Sequence, residues 1–257
     1  MILSAIAQQK LPGWASLASV CREWQSVLEK ANLYKLKLEA CCLDDFEQIL
    51  SPQKRDMIRH VYFTVELPRY TYSCCYKRKC YKRRSQPPKI DSVVSDGIWR
   101  LFSILSRWRP RPGHQLTLEI NIYSPSDCEH WFKDLELSSD DIEPDEYAAV
   151  PHHDPQHGWE NGQQVKAPPI YAIQRIFRPI ELKFRDTLPR VNAITCLIIR
   201  RQLRRCISPR GLGLLMDSLD RLEQLSYEPW APYRHPTREF YDRGMCMLIL
   251  TAVTTCR

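Results

Sequence analysis

The side chains of this chain best suited to chemistry are its cysteines and histidines, and one candidate metal group lies near residue 75. Cys74 and Cys75 are adjacent, Cys80 follows five residues later, and His60 lies upstream. Structural zinc sites usually take two pairs of ligands at regular intervals, and no second cysteine pair follows here. We therefore favour reduced loop thiols over a zinc site.

A second candidate group is denser and lies in the middle of the chain. Its members are three histidines and one aspartate within six residues: His152, His153, Asp154 and His157. Histidine and carboxylate ligands suit several divalent ions. The neighbouring residues Pro151 and Pro155 stiffen the segment, and no helix or hairpin pattern positions the ligands. The alternative interpretation, which we favour, is that His157 and Trp159 pin this loop back onto the fold.

Motifs of known enzyme classes are absent from the sequence. It contains no Gly-x-Ser-x-Gly elbow, no His-Glu-x-x-His and no phosphate-binding glycine loop. Nineteen prolines against eight glycines favour irregular connections over glycine-rich loops. We therefore predict a non-catalytic protein with no cofactor and no metal.

Two segments of opposite charge have the composition of surface loops inserted into the fold. Residues 67–90 carry eight basic and no acidic side chains, and residues 134–150 carry seven acidic and no basic ones. The basic run is interleaved with tyrosines, namely Tyr70, Tyr72, Tyr76 and Tyr81. A solvated loop is the plainest interpretation, and the alternatives are a nuclear localisation signal and a nucleic-acid-binding patch.

A cluster of arginines follows a strongly apolar segment near residue 199. Its members are Arg200, Arg201, Arg204 and Arg205. Guanidinium groups bind carboxylates and phosphates in a bidentate manner. The cluster could therefore read an acidic or phosphorylated target, or could bind the acidic segment of the same chain.

Composition narrows the class of protein. The 257 residues are 44% apolar and 26% charged, as in globular proteins, with a net charge of +7. The longest apolar run, residues 245–253, is about half of the roughly 20 residues that a membrane span needs. The first ten residues lack the basic and apolar regions of a secretory signal. We therefore expect a protein of the cytoplasm or nucleus, without a membrane partner, whose eleven cysteines are reduced.

The apolar pattern predicts helices first and strand–helix units afterwards. Apolar side chains at residues 17, 20, 21, 24 and 28 follow the spacing of one helical stripe. Strand patterns follow at residues 33–38, 60–65, 116–123, 191–199 and 225–227, and helical patterns at residues 43–50 and 212–222. This alternation predicts an α/β fold with parallel strands, and the apolar run at 191–199 predicts a strand covered on both faces.

Residues 17–24, LASVCREW, resemble the second half of an F-box, whose pattern is Leu-x-x-Val-Cys-basic-x-Trp after a helix bearing Ile and Leu. The remainder is similar to fungal F-box proteins with degenerate leucine-rich-repeat-like C-terminal regions. Stretches that suggest this include residues 33–50, 124–134, 153–159, 200–205 and 227–230. The Leu-Pro-x-Glu step that usually opens an F-box is missing, because Met1 falls within the first helix of the pattern.

The resemblance implies a substrate-recruiting subunit of a Skp–cullin–F-box E3 ubiquitin ligase, acting in ubiquitin-dependent degradation. Its F-box helices would bind a Skp-type adaptor and through it a cullin-RING ligase, and its C-terminal region would bind an unknown protein substrate. The adaptor contacts implied are mainly apolar: Ile2, Leu3, Ile6, Leu17, Val20, Cys21, Trp24 and Val27.

The resulting domain hypothesis places an N-terminally truncated F-box at residues 1–32 and a leucine-rich-repeat-like solenoid at residues 33–257. Loop insertions are expected at about 67–90 and 134–170. Two alternatives stay open. One is a nuclear nucleic-acid-binding protein that uses the basic, tyrosine-rich residues 69–89, and the other is a truncated gene product without function.

Overall fold

The computed structural model describes residues 14–76, 90–109, 113–129, 153–200 and 205–228. Within those ranges, every helix is too short or too polar to span a lipid bilayer. The predicted adaptor contacts Ile2, Leu3 and Ile6 lie outside the described residues, as do Arg201, Arg204 and the charged residues 77–89 and 134–150.

The described chain alternates strands and helices, as the sequence predicts. The α-helices are α1 (Arg22–Tyr34), α2 (Leu43–Ile49), α3 (Pro52–Arg55), α4 (Ile90–Leu105), α5 (Ile170–Phe177) and α6 (Pro209–Asp217). The strands are β1 (Lys35–Glu39), β2 (His60–Glu66), β3 (Leu116–Tyr123), β4 (Trp159–Glu160), β5 (Gln163–Gln164), β6 (Ile194–Ile199) and β7 (Gln224–Tyr227). Short 3-10 turns connect several of them.

Five strands form one parallel sheet in the order β1-β2-β3-β6-β7, and β4 and β5 form a small antiparallel hairpin. In the large sheet the spatial order equals the chain order, so each crossover moves one strand further in the same direction. Crossovers between parallel strands are right-handed almost without exception, and successive crossovers of one hand and one direction place their helices on one face. The fold is therefore a mixed α/β fold whose sheet has one helix-covered face.

The main core lies on that covered face. It contains the apolar residues of the strands, among them Val61, Phe63 and Ile120, packed with side chains of α2, α4 and α6. In β2 and β3 these apolar residues alternate with polar ones, which is the pattern of a half-covered sheet. The expectation that β6 is covered on both faces is wrong, since Cys196 and Ile198 remain half-exposed on the other side.

The N-terminal segment departs from the single helical stripe that the apolar spacing predicts. Trp14–Ser19 form a 3-10 helix, and Cys21 has an extended backbone with φ −160° and ψ 171° before α1 begins. The Ser19 hydroxyl donates a hydrogen bond to the Ser16 carbonyl at 2.8 Å. Such local side-chain bonds compete with regular helix formation. The predicted stripe is therefore split between two helical pieces.

A second core lies beside the main one and includes parts of both expected insertions. It contains Tyr70, Cys74, Cys75, Trp159, Ala172, Ile173 and Ile176, with Phe177 packed against it. Residues 67–76 are therefore partly packed into the fold, and the expectation that they belong to a solvated surface loop is wrong. Trp159 also lies in this core, as the favoured interpretation of its loop predicts. Helix α5, which begins at the last residue of the expected insertion at 134–170, contributes Ala172, Ile173 and Ile176 to this core.

Candidate functional site

The predicted adaptor contacts that the structure describes lie on residues 14–34, on both sides of the break before α1, and this set is called the ridge. This ridge is defined here as Leu17, Val20, Cys21, Trp24 and Val27. Val20 is 61% exposed and Val27 is 37% exposed, and Cys21 is also exposed. Leu17 and Trp24 are half-buried. The ridge therefore offers apolar side chains to the surroundings instead of sealing them in the core.

Helix α1 is held to the rest of the fold by contacts in its second half. Leu28 is fully buried, and Glu29 forms an ion pair of 2.8 Å with Lys54 of α3. The helix runs without a linker into β1, and the Tyr34 carbonyl accepts a hydrogen bond from the Arg59 amide at 3.0 Å. The domain boundary expected at residue 32 falls inside this helix, so ridge and sheet are joined through a continuous secondary-structure element.

The face of the large sheet that no helix of the described residues covers is the second candidate surface, and it is called the polar face here. Register places one residue of each strand in a row across it: Lys37, Tyr62, Glu119, Ile198 and Ser226. Residues two positions away point to the same side of a strand. That rule adds further side chains from β1, β2 and β3: Lys35, Glu39, His60, Thr64, Glu66, Thr117, Asn121 and Tyr123.

The charges on the polar face are arranged around one buried carboxylate. Glu119 is 5% exposed, with one oxygen 2.8 Å from His60 Nε2 and the other 2.9 Å from Arg200 Nε. A buried carboxylate needs such partners, because removal from water disfavours an isolated charge. Of the predicted arginine cluster, Arg200 is thus placed at this surface and remains about a third exposed.

Near the carboxyl ends of β2 and β3, the polar face carries an aromatic group. The Tyr123 hydroxyl donates a hydrogen bond to Glu66 at 3.0 Å. Burial and this neighbouring carboxylate raise the pKa of Tyr123 above its usual value, so the hydroxyl keeps its proton near neutral pH. Tyr62 and Tyr123 are both half-buried, so each combines a fixed ring with an accessible edge. Aromatic side chains of this kind are common anchors in protein interfaces.

Arg205, by contrast, is structural and does not reach the surface. It is 2% exposed and donates to Asp127 at 3.0 Å and to the Arg175 carbonyl at 2.8 Å. Asp127 also accepts a hydrogen bond of 2.6 Å from the Tyr70 hydroxyl. The hypothesis that Arg205 reads an acidic target is therefore wrong, because its charge is already satisfied inside the protein.

The same network removes Tyr70 from any nucleic-acid surface. Its ring lies beneath the guanidinium groups of Arg175 and Arg205, at 5.3 and 6.0 Å from the ring centroid. Burial first, and then the charge of Asp127, strongly raise the pKa of Tyr70. Tyr72 stacks on His157 with ring centroids 5.2 Å apart, and Tyr81 lies outside the described residues. The Tyr76 hydroxyl donates a hydrogen bond to the Gln156 carbonyl, so three of the four tyrosines are engaged within the fold.

The cysteines near residue 75 are not the reduced loop thiols that we expected from the sequence. Cys74 is disulfide-bonded, which corrects that expectation for this residue. Cys75 is a thiol at 0% exposure, and burial raises its pKa to about 11. Such a thiol is a weak nucleophile near neutral pH, because the thiolate is the reactive form.

The histidine group around residue 155 acts as an internal support, as the favoured interpretation predicts. His157 and Asp154 are 0% and 1% exposed, and His157 Nδ1 lies 2.6 Å from Asp154 Oδ2. Gly158 has a φ of 85°, and a Cβ placed there would lie 1.9 Å from the Lys166 carbonyl oxygen. The turn therefore requires glycine, and it directs Trp159 into the second core. His153 is exposed, away from the buried members.

The polar face was not predicted as a single surface from the sequence. The sequence does contain a pattern for this face. In residues 60–66 and 116–123, every second residue is apolar, and the residues between them are polar or aromatic. Only strand order and register bring these sets onto one plane.

Comparisons with known proteins do not extend these observations to a family. No family model, no curated protein and no solved structure matches this chain.

Proposed function

We propose that this chain is the substrate-recruiting subunit of a Skp–cullin–F-box type E3 ubiquitin ligase. In this proposal the ridge binds a Skp-type adaptor, and the body of the chain binds a target protein. The chain contributes proximity, because it raises the effective concentration of the target near the ubiquitin-transferring components.

The observation that carries the proposal is the exposure of the ridge. Val20 is an apolar side chain at 61% exposure, next to the exposed Cys21 and on the same segment as Val27. Tyr34, seven residues after Val27 and therefore on the same side of α1, is 57% exposed. An apolar strip outside a protein whose core is already formed indicates a partner that covers it.

The direct attachment of the ridge to the sheet supports a role for this chain in recruiting a target. Because α1 continues directly into β1, a partner bound at the ridge would be held at a defined angle to the sheet. A target on the sheet and an adaptor on the ridge would then keep a fixed relative position. Such rigidity matters for a protein that works by orientation.

We further propose that the sheet belongs to an irregular leucine-rich-repeat-like solenoid and that its polar face receives the target. Chain-order parallel strands with helices on one side are the arrangement that stacking of strand–helix units produces. The polar face combines the half-buried Tyr62 and Tyr123 with charges of both signs, including the exposed Lys37 and Glu66. Anchoring rings within a charged surround suit recognition of a protein surface.

The test of the ridge is binding to a purified Skp-type adaptor. Replacing Val20 by Asp should abolish retention of the adaptor, because it puts a charge into an apolar interface, and Leu17→Asp should do the same. Val165→Asp is the matched control, since Val165 is 59% exposed elsewhere in the chain. If the folded wild type ignores the adaptor, or if Val20→Asp binds it as well as Val165→Asp does, the proposal is wrong.

The test of the polar face separates the two surfaces. A Lys37→Glu, Tyr62→Ala double variant should keep the adaptor and lose the targets that the wild type captures, whereas Val20→Asp should lose the adaptor and keep those targets. Quantitative mass spectrometry of both captures gives the answer. A polar-face variant with an unchanged set of targets would place target binding elsewhere on the chain.

A further inference from the structure

Three metal-ligating side chains that the sequence analysis did not single out meet at the end of β1. Glu39 is the last residue of the strand, and Cys41 and Cys42 belong to the 3-10 turn Ala40–Cys42 that follows. Cys41 Sγ lies 3.7 Å from Cys42 Sγ and 3.5 Å from Glu39 Oε2. All three ligand atoms lie within 4.8 Å of one another, and all three residues are exposed.

These distances match those between ligands that share one metal ion. In a tetrahedral zinc site with Zn–S bonds of about 2.3 Å and a Zn–O bond of about 2.1 Å, two sulfurs lie ~3.8 Å apart, and a sulfur and an oxygen lie ~3.6 Å apart. The observed 3.7 and 3.5 Å agree with both values. Two edges of the ligand triangle therefore match a tetrahedral zinc site, and the third edge, between Cys42 and Glu39, is at most 4.8 Å long.

The backbone that carries these ligands is fixed on both sides. Leu38 precedes the group and Leu43 follows it, and both are buried in the main core. Arg100 on α4 donates to the Ala40 carbonyl, between these leucines, at 3.4 Å and to Asp44, just after them, at 2.6 Å. A ligand set held in this way loses little conformational freedom when an ion binds, which favours affinity.

We propose that Glu39, Cys41 and Cys42 bind a thiophilic divalent cation, with Zn²⁺ as the ion that best fits two sulfurs and one carboxylate oxygen. Sulfur ligands select such ions over Mg²⁺ and Ca²⁺, which prefer oxygen. Both thiols lose their protons to solvent when the ion binds, and no oxidation or reduction occurs. The fourth position faces solvent and holds a water molecule.

The test is a titration of the full-length chain with Co²⁺, a spectroscopic substitute for Zn²⁺, in the presence of a phosphine reductant. We expect a sulfur-to-cobalt charge-transfer absorption that saturates at one equivalent from this site and disappears when Zn²⁺ is added. Cys41→Ser and Cys42→Ser should each remove that absorption. Glu39→Gln should retain it but weaken Co²⁺ affinity by about tenfold or more, because one charged ligand is lost.

The matched control is Cys21→Ser, which removes an exposed thiol on the ridge and should leave the titration unchanged. The proposal is overturned if the wild type gives no sulfur-to-cobalt absorption, or if the absorption persists undiminished in Cys41→Ser. Because the readout is metal binding alone, its result is independent of whether the chain binds a Skp-type adaptor.

Discussion

The two faces of the large sheet are built from the same strands and have opposite roles. In β2, Phe63 is fully buried among apolar side chains, whereas its neighbour Tyr62 is half-buried on the polar face. In β3, Ile120 lies in the core and Glu119 lies among charged partners. Successive side chains of a strand point to opposite sides, so alternating residues can serve stability and recognition separately. One sheet thus provides both a core and the polar face at which we propose that the target binds.

The strongest test of this comparison is a pair of substitutions at adjacent positions. Phe63→Ala should lower the free energy of unfolding by about 3–5 kcal/mol, because it opens a cavity in the main core. Tyr62→Ala should lower it by about 1 kcal/mol or less, as a half-exposed surface substitution. Chemical denaturation of both variants measures the difference. Equal losses of unfolding free energy would mean that side chains on the polar face stabilise the fold as much as those in the main core.

A second test asks whether polar residues stabilise this protein only where they are enclosed. Asp127→Ala should cost about 3–5 kcal/mol, because it leaves the buried Arg205 charge without its carboxylate. Asp44→Ala removes a carboxylate that pairs with Arg100 at the surface, where Asp44 is 78% exposed, and should cost about 1 kcal/mol or less. Thermal and denaturant unfolding of both variants measure the two losses of stability. Similar losses would show that enclosure does not determine how much a carboxylate stabilises this protein.

The smallest expected effect concerns how tightly the covered face is packed. A Cβ on Gly97 of α4 would lie 3.4 Å from Val65 and 3.7 Å from Phe63, which are ordinary contacts. Gly97→Ala should therefore stabilise the protein by about 0.5–1 kcal/mol, since alanine favours the helix.

Gly211 in α6 provides the matched comparison. A Cβ there would lie 2.9 Å from Ile207 and 3.1 Å from Leu182, so Gly211→Ala should destabilise by about 1–3 kcal/mol. The melting temperatures of the two variants should move in opposite directions. A shift of both in the same direction would show that packing density does not differ between these two ends of the covered face.

Much of the secondary structure could be predicted from local pattern. The strand expected at residues 116–123 has the predicted limits, and the helix expected at residues 43–50 is α2 (Leu43–Ile49). Helix α4 is not among the predicted helices, although Val94, Ile98 and Leu101 follow a helical spacing.

The candidate surfaces were predictable to different degrees. Residue spacing places Val20 on the apolar stripe of the N-terminal segment, the F-box resemblance adds Val27, and both side chains are exposed in the structure. The Tyr70–Asp127–Arg205 network could not be predicted, because 57 residues separate Tyr70 from Asp127 and 78 separate Asp127 from Arg205. No local pattern specifies which distant ion pairs become enclosed.

The sequence by itself determined the alternation of strands and helices, the parallel character of the sheet and the apolar residues of the N-terminal segment. These properties follow from periodicity and from side-chain type, which are local. The tertiary structure alone decided the strand order, which side of the sheet stays uncovered, and which charges are buried. Those properties depend on contacts between residues far apart in the chain. The free energy gained by burying apolar area in such contacts outweighs the local secondary-structure preference of a segment.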